Sequence, residues 1–221
     1  MLRQLSNSKF LIPAMVILAI LAAGSGFYVS LKQSQNQSAL TVSQAPNIEG
    51  LFWPNPKQIR EFNTLDQSGN SFGLEHIKGK WSFLFFGYTH CPDVCPVALS
   101  VMAETYKQLA TRHKNIQIIF VSIDPERDTT EKLSEYMAYF NEDFIGLNGD
   151  PGIENSLTKQ IGVAYYLNNE EQTENYLVDH SASIFLLDPK ARFVGKVSAP
   201  HEAEKIIQQF TKISTFINAQ N

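Results

Sequence analysis

Residues 81–96 read Trp-Ser-Phe-Leu-Phe-Phe-Gly-Tyr-Thr-His-Cys-Pro-Asp-Val-Cys-Pro, and they decide the predicted fold. The run of aromatic and aliphatic side chains at 81–88 is too short for a helix and is typical of a strand buried on both faces. Cys91 and Cys95 follow this run and are the only cysteines among the 221 residues. If they begin a helix, their Cβ atoms lie roughly 5–6 Å apart on one face. Two such sulfurs can bind a soft metal ion together or form a disulfide.

Strands and helices alternate around this segment. Residues 62–65 and 71–74 are predicted to form a hairpin around a Gly-containing turn. Helical spacing of apolar residues over 96–113 is followed by a second buried strand at 116–123. These elements predict one βαβ unit in which the strand before the cysteines is central.

The second half of the chain continues the alternation. Asp128 and Glu131 resemble a capping box for a helix that ends near Phe140. The other predicted elements are a strand at 144–147, a helix beginning at Asp150, a polar loop at 165–173, strands at 183–187 and 193–197, and a closing helix with apolar residues at 203, 206, 207 and 210. This order predicts an α/β fold with a mixed sheet flanked by helices and an N-terminal hairpin extension.

The N-terminal residues predict a membrane anchor. Residues 10–31 carry no charged side chain, and about 20 apolar residues suffice to span a bilayer. Arg3 and Lys9 precede this span, so the positive-inside rule predicts that residues 1–9 form a cytoplasmic head. The head is short and poor in Arg, which favours a bacterial inner membrane crossed once, with the folded part facing the periplasm. A cleaved signal peptide is the alternative, because small residues at 22–26 follow the apolar core.

Composition bounds the remaining possibilities. Residues 32–50 are rich in Gln, Ser and Asn and predict a flexible linker, which leaves residues 51–221 as the folded domain. The net charge of −4 provides no basic face, so nucleic-acid binding is excluded. Both cysteines belong to one motif, so no disulfide remains to stabilise the fold elsewhere.

The candidates for a third metal ligand are the histidines, which stand at positions 76, 90, 113, 180 and 201. His201 is followed by Glu202 as in a zinc-protease motif, but Lys205 occupies the place of the second histidine. His90 is adjacent to Cys91, and neighbouring side chains generally point apart. His180 precedes the strand at 183–187 and can lie at the end of the sheet near the cysteines. From the residues alone, His180 is equally compatible with a ligand and with an ordinary polar side chain.

Three blocks of sequence together resemble the Sco/SenC family. They are Phe-Gly-Tyr-Thr-His-Cys-Pro-Asp-Val-Cys-Pro at 86–96, Val-Ser-Ile-Asp-Pro-Glu-Arg-Asp-Thr at 121–129 and Val-Asp-His-Ser at 178–181. Members of this family are thioredoxin-like, membrane-tethered copper proteins that help to assemble the copper A centre of cytochrome c oxidase. The resemblance covers roughly residues 55–215, and three blocks in order are far more specific than the cysteine pair alone.

The resemblance implies that Cys91, Cys95 and His180 bind copper. Two thiolates and one imidazole independently suit Cu(I) and can also hold Cu(II). Asp93 is expected to lie behind the ligands or to face a partner. Residues 124, 126 and 127 (Asp, Glu and Arg) are expected to form either a docking surface or local ion pairs in a loop before a helix.

Two functions follow from the resemblance. The first is a metallochaperone that delivers copper to, or prepares the thiols of, the copper A site in cytochrome c oxidase subunit II or another copper-receiving protein. An upstream copper donor or thiol reductant is then required. The second is a periplasmic thiol-disulfide oxidoreductase in which Cys91 and Cys95 are a catalytic disulfide pair. The CxxxC spacing and the lack of a proline just before the strand at 183–187 favour the metal function, and whether the chain is an enzyme stays open.

Overall fold

The computed structural model describes residues 21–32, 51–149, 155–168 and 176–219, which divide into an N-terminal unit up to residue 45 and a larger unit from residue 46. In the first unit, residues 21–32 are helical (α1) and exposed. None of the helices within the described ranges has the length and apolar character that a membrane span needs. The predicted head, the first half of the predicted anchor and nearly all of the predicted linker lie outside the described residues.

The larger unit is a mixed α/β domain. Its strands are β1 (Leu51–Gln58), β2 (Asn63–Asp66), β3 (Ser71–Gly73), β4 (Trp81–Gly87), β5 (Ile116–Ser122), β6 (Ile145–Asn148), β7 (Tyr165–Asn168), β8 (Leu177–His180), β9 (Ile184–Leu187) and β10 (Arg192–Val197). Its helices are α2 (Leu74–Ile77), α3 (Val94–Ala110), α4 (Thr130–Phe140), α5 (Leu157–Ile161) and α6 (Ala203–Ala219).

Among the described residues, eight strands form one sheet in the order β1-β10-β9-β4-β5-β6-β2-β3. β4 pairs in parallel with β5 and β5 with β6, whereas β9 runs antiparallel to β4. Every residue of β4 and of β5 is buried, as expected for strands covered on both faces. The central position predicted for β4 is confirmed. Because β4 and β5 are parallel, the loops that follow them leave the same edge of the sheet.

The helices bury apolar stripes against this sheet. α3 buries residues at helical spacing, including Leu99, Met102 and Leu109. α6 places Phe210 against the rings of Trp81 and Phe83 of β4, at 5.4 Å between ring centroids in each case. Each large side chain that is removed from water in this way contributes roughly 1.5–3 kcal/mol to folding. The predicted hairpin is confirmed as the antiparallel pair β2–β3.

Two predicted elements need correction. The helix after the cysteine motif begins at Val94, so Cys91 precedes the helix and only Cys95 lies in its first turn. The cap of α4 is Thr129, whose side chain accepts from the amide of Lys132, and not Asp128. Asp128 is instead fully buried, because it accepts hydrogen bonds from a distant loop. The helix start predicted at Asp150 lies outside the described residues and stays a prediction.

Three strands, β1, β7 and β8, were not predicted. β1 adds to the edge of the sheet by pairing with β10. Residues 165–168 were predicted as loop but form β7, which pairs with β8 in a separate two-stranded sheet. This second correction matters for function, because β8 ends at His180.

Candidate metal centre

The two cysteines lie where the chain passes from β4 into α3. The amide of Cys91 donates to the carbonyl of Tyr88 at 3.1 Å, which closes a turn directly after the strand. Cys95 follows in the first turn of α3 and is completely buried, whereas Cys91 is 8% exposed. The motif therefore presents one sulfur close to solvent and one beneath it.

Gly87, the last residue of β4, makes room for the buried sulfur. A Cβ atom at this position would lie 2.7 Å from Sγ of Cys95 and 2.9 Å from Cε2 of Phe120. Such distances are well inside van der Waals contact, about 3.5–4.0 Å. The Cys95 side chain can occupy its place only because residue 87 has no side chain. Gly87 was not among the predicted site residues, although a glycine that ends a fully apolar run is a signal of close approach.

His180 approaches the cysteines from the end of β8. Its Nε2 lies 3.4 Å from Sγ of Cys95, and its Nδ1 lies 3.1 Å from the carbonyl oxygen of Ser181. A carbonyl oxygen can only accept, so Nδ1 donates in this contact and Nε2 is the ring nitrogen that faces the sulfurs. The edges of the Phe85 and Tyr88 ring systems meet the imidazole, with centroids 6.1 Å away in both cases.

The three side chains form a set of donors that suits copper. One ligand atom each from Cys91, Cys95 and His180 lies within 4.8 Å of the other two. Two sulfurs bonded to one ion at about 2.3 Å are separated by at most about 4.6 Å, so little movement is needed to bring all three onto one ion. Thiolates and imidazole nitrogen are ligands that Cu(I) prefers. The structure thus brings together the three residues that the resemblance selected.

The two thiols have opposite acid strengths. The pKa of Cys91 is lowered to about 4, chiefly because Cys95 donates a hydrogen bond to its sulfur. Burial opposes this shift, and hydrogen bonds from His180 and from the amides of Asp93 and Cys95 add to it. The pKa of Cys95 is raised, because its proton is held in that hydrogen bond and because burial and the neighbouring thiolate both disfavour a second charge. At neutral pH, Cys91 is therefore a thiolate and Cys95 a thiol.

All five histidines lie within the described ranges, and the other four do not join this cluster. Nδ1 of His90 contacts Oγ1 of Thr89 at 3.1 Å and points toward Asp128 instead of the sulfurs. His201 contacts the carbonyl of Ala182 through Nε2 at 2.6 Å. His76 accepts from the amide of Gly73, and His113 meets the ring of Phe210 edge-on.

Asp128 holds the loop that precedes Cys91. Its carboxylate accepts from the amide of Thr89 at 3.1 Å, from the Thr89 hydroxyl at 2.6 Å and from the Ser122 hydroxyl at 2.7 Å. Burial raises the pKa of Asp128, while the bonds from Thr89 and Ser122 counteract this rise. The cysteine loop is thereby tied to the end of β5. Local sequence gave no signal for this role, since Thr89 and Asp128 are 39 residues apart.

The acidic and basic residues of the loop after β5 are mostly buried. Asp124 is 2% exposed, and its Oδ2 accepts from Nε of Arg127 at 2.5 Å. Its Oδ1 accepts from the hydroxyl of Tyr176 at 2.5 Å. Burial and this hydrogen bond raise the pKa of Tyr176 to about 12, so the hydroxyl stays protonated and donates. Of the two expectations for this loop, the structure favours local ion pairing, because only Glu126 is exposed. Asp93 is exposed, and its role toward a partner stays a prediction.

Comparison with known proteins gives a consistent result. The family model described as SCO1/SenC matches residues 54–215. A SCO2-like protein of Rickettsia felis is 34% identical over 145 residues, which cover 65% of this chain and 71% of that protein. The mitochondrial protein SCO1 homolog 1 of Arabidopsis thaliana is 31% identical over 178 residues, or 80% of this chain and about half (52%) of that protein.

A solved structure with the same fold is that of Arabidopsis thaliana ScoI with copper bound. It has a TM-score of 0.64 and 32% sequence identity, and the match covers 71% of this chain and 97% of that one. The expected thioredoxin-like fold is confirmed by this similarity and by the mixed sheet with its flanking helices.

Proposed function

Because this chain belongs to the SCO1/SenC family, we propose that it is a copper-binding metallochaperone that acts in the assembly of cytochrome c oxidase. The single observation that carries the proposal is the convergence of Cys91, Cys95 and His180, whose donor atoms lie within 4.8 Å of one another. The copper-bound state of the Arabidopsis ScoI structure supports copper as the cargo. Oxidase assembly is the role that the family resemblance implies.

The three side chains have distinct tasks in binding copper. Cys91 is already a thiolate and is the more exposed of the two sulfurs, so it is available to the arriving ion. The raised pKa of Cys95 keeps its thiol protonated in the absence of metal, so Cys95 loses its proton only as the ion binds. Nε2 of His180 supplies a neutral third donor whose direction is set by the Nδ1 contact to Ser181.

The cellular setting is a further part of the proposal. Residues 10–31 anchor the chain once in a bacterial inner membrane, and the folded domain works in the periplasm. Arg3 and Lys9 before the apolar stretch support this orientation. The recipient is the copper A site of cytochrome c oxidase subunit II or another copper-receiving protein. An upstream donor supplies copper, or a thiol reductant keeps the cysteine pair reduced.

The replacement His180→Ala tests the proposed site. The reduced protein is titrated with Cu(I) in competition with a chromophoric chelator, and free thiols are counted in parallel. Loss of a group that only supports a metal ligand typically weakens metal binding about 10–100-fold. Loss of the third ligand itself is expected to weaken copper binding by at least this factor. Both thiols remain able to form a disulfide.

His90→Ala is the matched control for this experiment. It removes an imidazole that adjoins Cys91 in sequence but contacts Thr89, and it should bind copper like the wild type. If His180→Ala and the wild type bind with equal affinity, His180 is not a ligand. If the wild type itself takes up no copper, the chaperone function is wrong.

Thiol-disulfide exchange is the second candidate, and the lowered pKa of Cys91 favours it. The Cys91 thiolate would attack a partner's disulfide, form a mixed disulfide and release one partner thiolate. Cys95 would then displace the second partner thiolate and leave the pair oxidised, so two electrons pass from the dithiol to the partner. Reduction of an oxidised copper A domain without added copper tests this function. A mixed disulfide trapped by Cys95→Ser would support it, and the absence of any reduction would reject it.

A further inference from the structure

His180 is carried by an element outside the main sheet. β8 pairs only with β7 in the described residues, and neither strand is hydrogen-bonded to the eight-stranded sheet that positions the cysteines. The backbone hydrogen bonds of the main sheet therefore do not hold the strand that carries the imidazole. β8 is joined to β9 of that sheet through residues 181–183, and hydrogen bonds from Tyr176 and Val178 attach it to residues after β5 and β4.

A group of three side chains joins the start of β8 to the loop after β5. The Tyr176 hydroxyl donates to Oδ1 of Asp124 at 2.5 Å, while Nε of Arg127 donates to Oδ2 of the same carboxylate. The guanidinium carbon of Arg127 lies 3.5 Å from the centroid of the Tyr176 ring. The tyrosine is thus held by a charge-assisted hydrogen bond at its hydroxyl and by a cation–π contact on its face.

A second connection lies two residues further along the chain, at Val178 of β8. The amide of Val178 donates to the hydroxyl of Tyr88 at 3.3 Å, and the Arg127 guanidinium also lies 5.6 Å from the Tyr88 ring centroid. Tyr88 follows β4 directly, is 2% exposed, and packs edge-on against His180. Both connections lead from β8 to residues adjoining the two central strands.

Asp124 is held in place by hydrogen bonds of its own backbone, independently of Tyr176. Its amide donates to the hydroxyl oxygen of Ser122 at 3.0 Å. Its carbonyl accepts from the amides of Arg127 and Asp128 at 3.2 and 3.0 Å. The carboxylate therefore belongs to a rigid turn at the edge of the sheet from which the cysteine loop also leaves. It provides a fixed point to which β8 can be attached.

We propose that Tyr176, Asp124 and Arg127 form a latch that positions His180 over the cysteine pair and so sets the affinity for copper. The proposal rests on the proposed function, because copper is the ligand whose affinity it concerns. The latch residues are positioning residues, and none of them is a copper ligand. Without the latch, β8 must be ordered when the ion binds, and the free energy of that ordering is subtracted from binding.

The replacement Tyr176→Phe tests the latch, since it removes the hydroxyl that Asp124 holds and keeps the ring that Arg127 covers. Cu(I) affinity is measured by chelator competition in two backgrounds, the wild type and His180→Ala. In the wild type, the affinity should fall about tenfold, as when a group that orients a metal ligand is lost. In the His180→Ala background, the same replacement should change the affinity by less than about twofold, because a latch has no effect once its imidazole is gone.

Tyr166→Phe is the matched control, because Tyr166 lies on β7 of the same hairpin and is 65% exposed. It should bind copper like the wild type. Hydrogen exchange of the Val178 amide in the copper-free protein gives a second measurement, and Tyr176→Phe should accelerate it while Tyr166→Phe should not.

Three results would overturn the latch: wild-type affinity in Tyr176→Phe, equal losses of affinity in both backgrounds, or unchanged exchange of the Val178 amide. Failure of the proposed function looks different. In that case, the wild type takes up no copper, while the exchange measurement on the copper-free protein still decides whether Tyr176 holds β8.

Discussion

Replacement of Gly87 by alanine is the sharpest test of how the fold makes the site. The added Cβ would lie 2.7 Å from Sγ of Cys95 and 2.9 Å from Cε2 of Phe120, both of which belong to fully buried residues. Since contacting atoms normally lie about 3.5–4.0 Å apart, the sulfur or the ring must move by about 1 Å. Such overpacking costs about 1–3 kcal/mol of stability. Metal ligands tolerate displacements of only about 0.2 Å, so copper binding should weaken on the order of 10–100-fold.

Two assays separate the loss of stability from the loss of copper affinity, and Gly146 of β6 supplies the control. Unfolding in urea gives the loss of stability, and Cu(I) competition gives the loss of affinity. Gly146→Ala places a Cβ 2.9 Å from Cγ of Met137, away from the cysteines and against a flexible side chain. We expect this control to lose some stability and to retain wild-type copper affinity. If Gly87→Ala retains wild-type affinity while it is destabilised, the sulfur is not positioned by residue 87, and the reasoning is refuted.

Two further predictions concern the charge on the cysteine pair. Cys95→Ala removes the hydrogen bond that most lowers the pKa of Cys91, so this pKa should rise from about 4 toward the ordinary thiol value near 8.5. Alkylation of Cys91 at pH 6 should then slow, because less thiolate is present. Alkylation rates from pH 3 to 9 give the midpoint, and an unmoved midpoint would contradict the assignment. Copper binding to the reduced wild type at pH 7 should release about one proton, which comes from Cys95, because Cys91 is already ionised. Calorimetry in buffers of different ionisation enthalpy counts the protons, and a value near two would mean that Cys91 is protonated before copper binds.

The elements with a continuous local pattern could be predicted from sequence. β4 and β5 are apolar runs of strand length, and both are central and buried. β1 was missed because Pro54 and Pro56 interrupt it, and proline normally argues against a strand. The structure tolerates both prolines because β1 is an edge strand whose register is irregular between Phe52 and Lys57.

The parts of the site that sequence could not supply depend on contacts between distant residues. Asp128 and Thr129 are both suitable caps for α4, and only the bonds from Thr89 show why Asp128 is turned into the core. β7 was predicted as loop because polar residues follow it, and its pairing with β8 is the observation that fixes it as a strand. For His180, the local sequence is compatible with a ligand and with an ordinary polar side chain, and only the family resemblance distinguishes the two. Its 3.4 Å approach to Cys95 crosses 85 positions of the chain.

The unequal depth of the two sulfurs gives the proposed handover of copper a direction. Cys91 is 8% exposed and stands beside the exposed residues 92–94, whereas Cys95 is sealed beneath it. An incoming thiolate of a recipient protein would meet the Cys91 sulfur before that of Cys95, while the imidazole of His180 is partly exposed. Bonds to the ion would then be exchanged in a fixed order, with the outer sulfur released early and the inner one last. Cargo could leave through the opening by which it arrived, and the hydrophobic interior would not have to open.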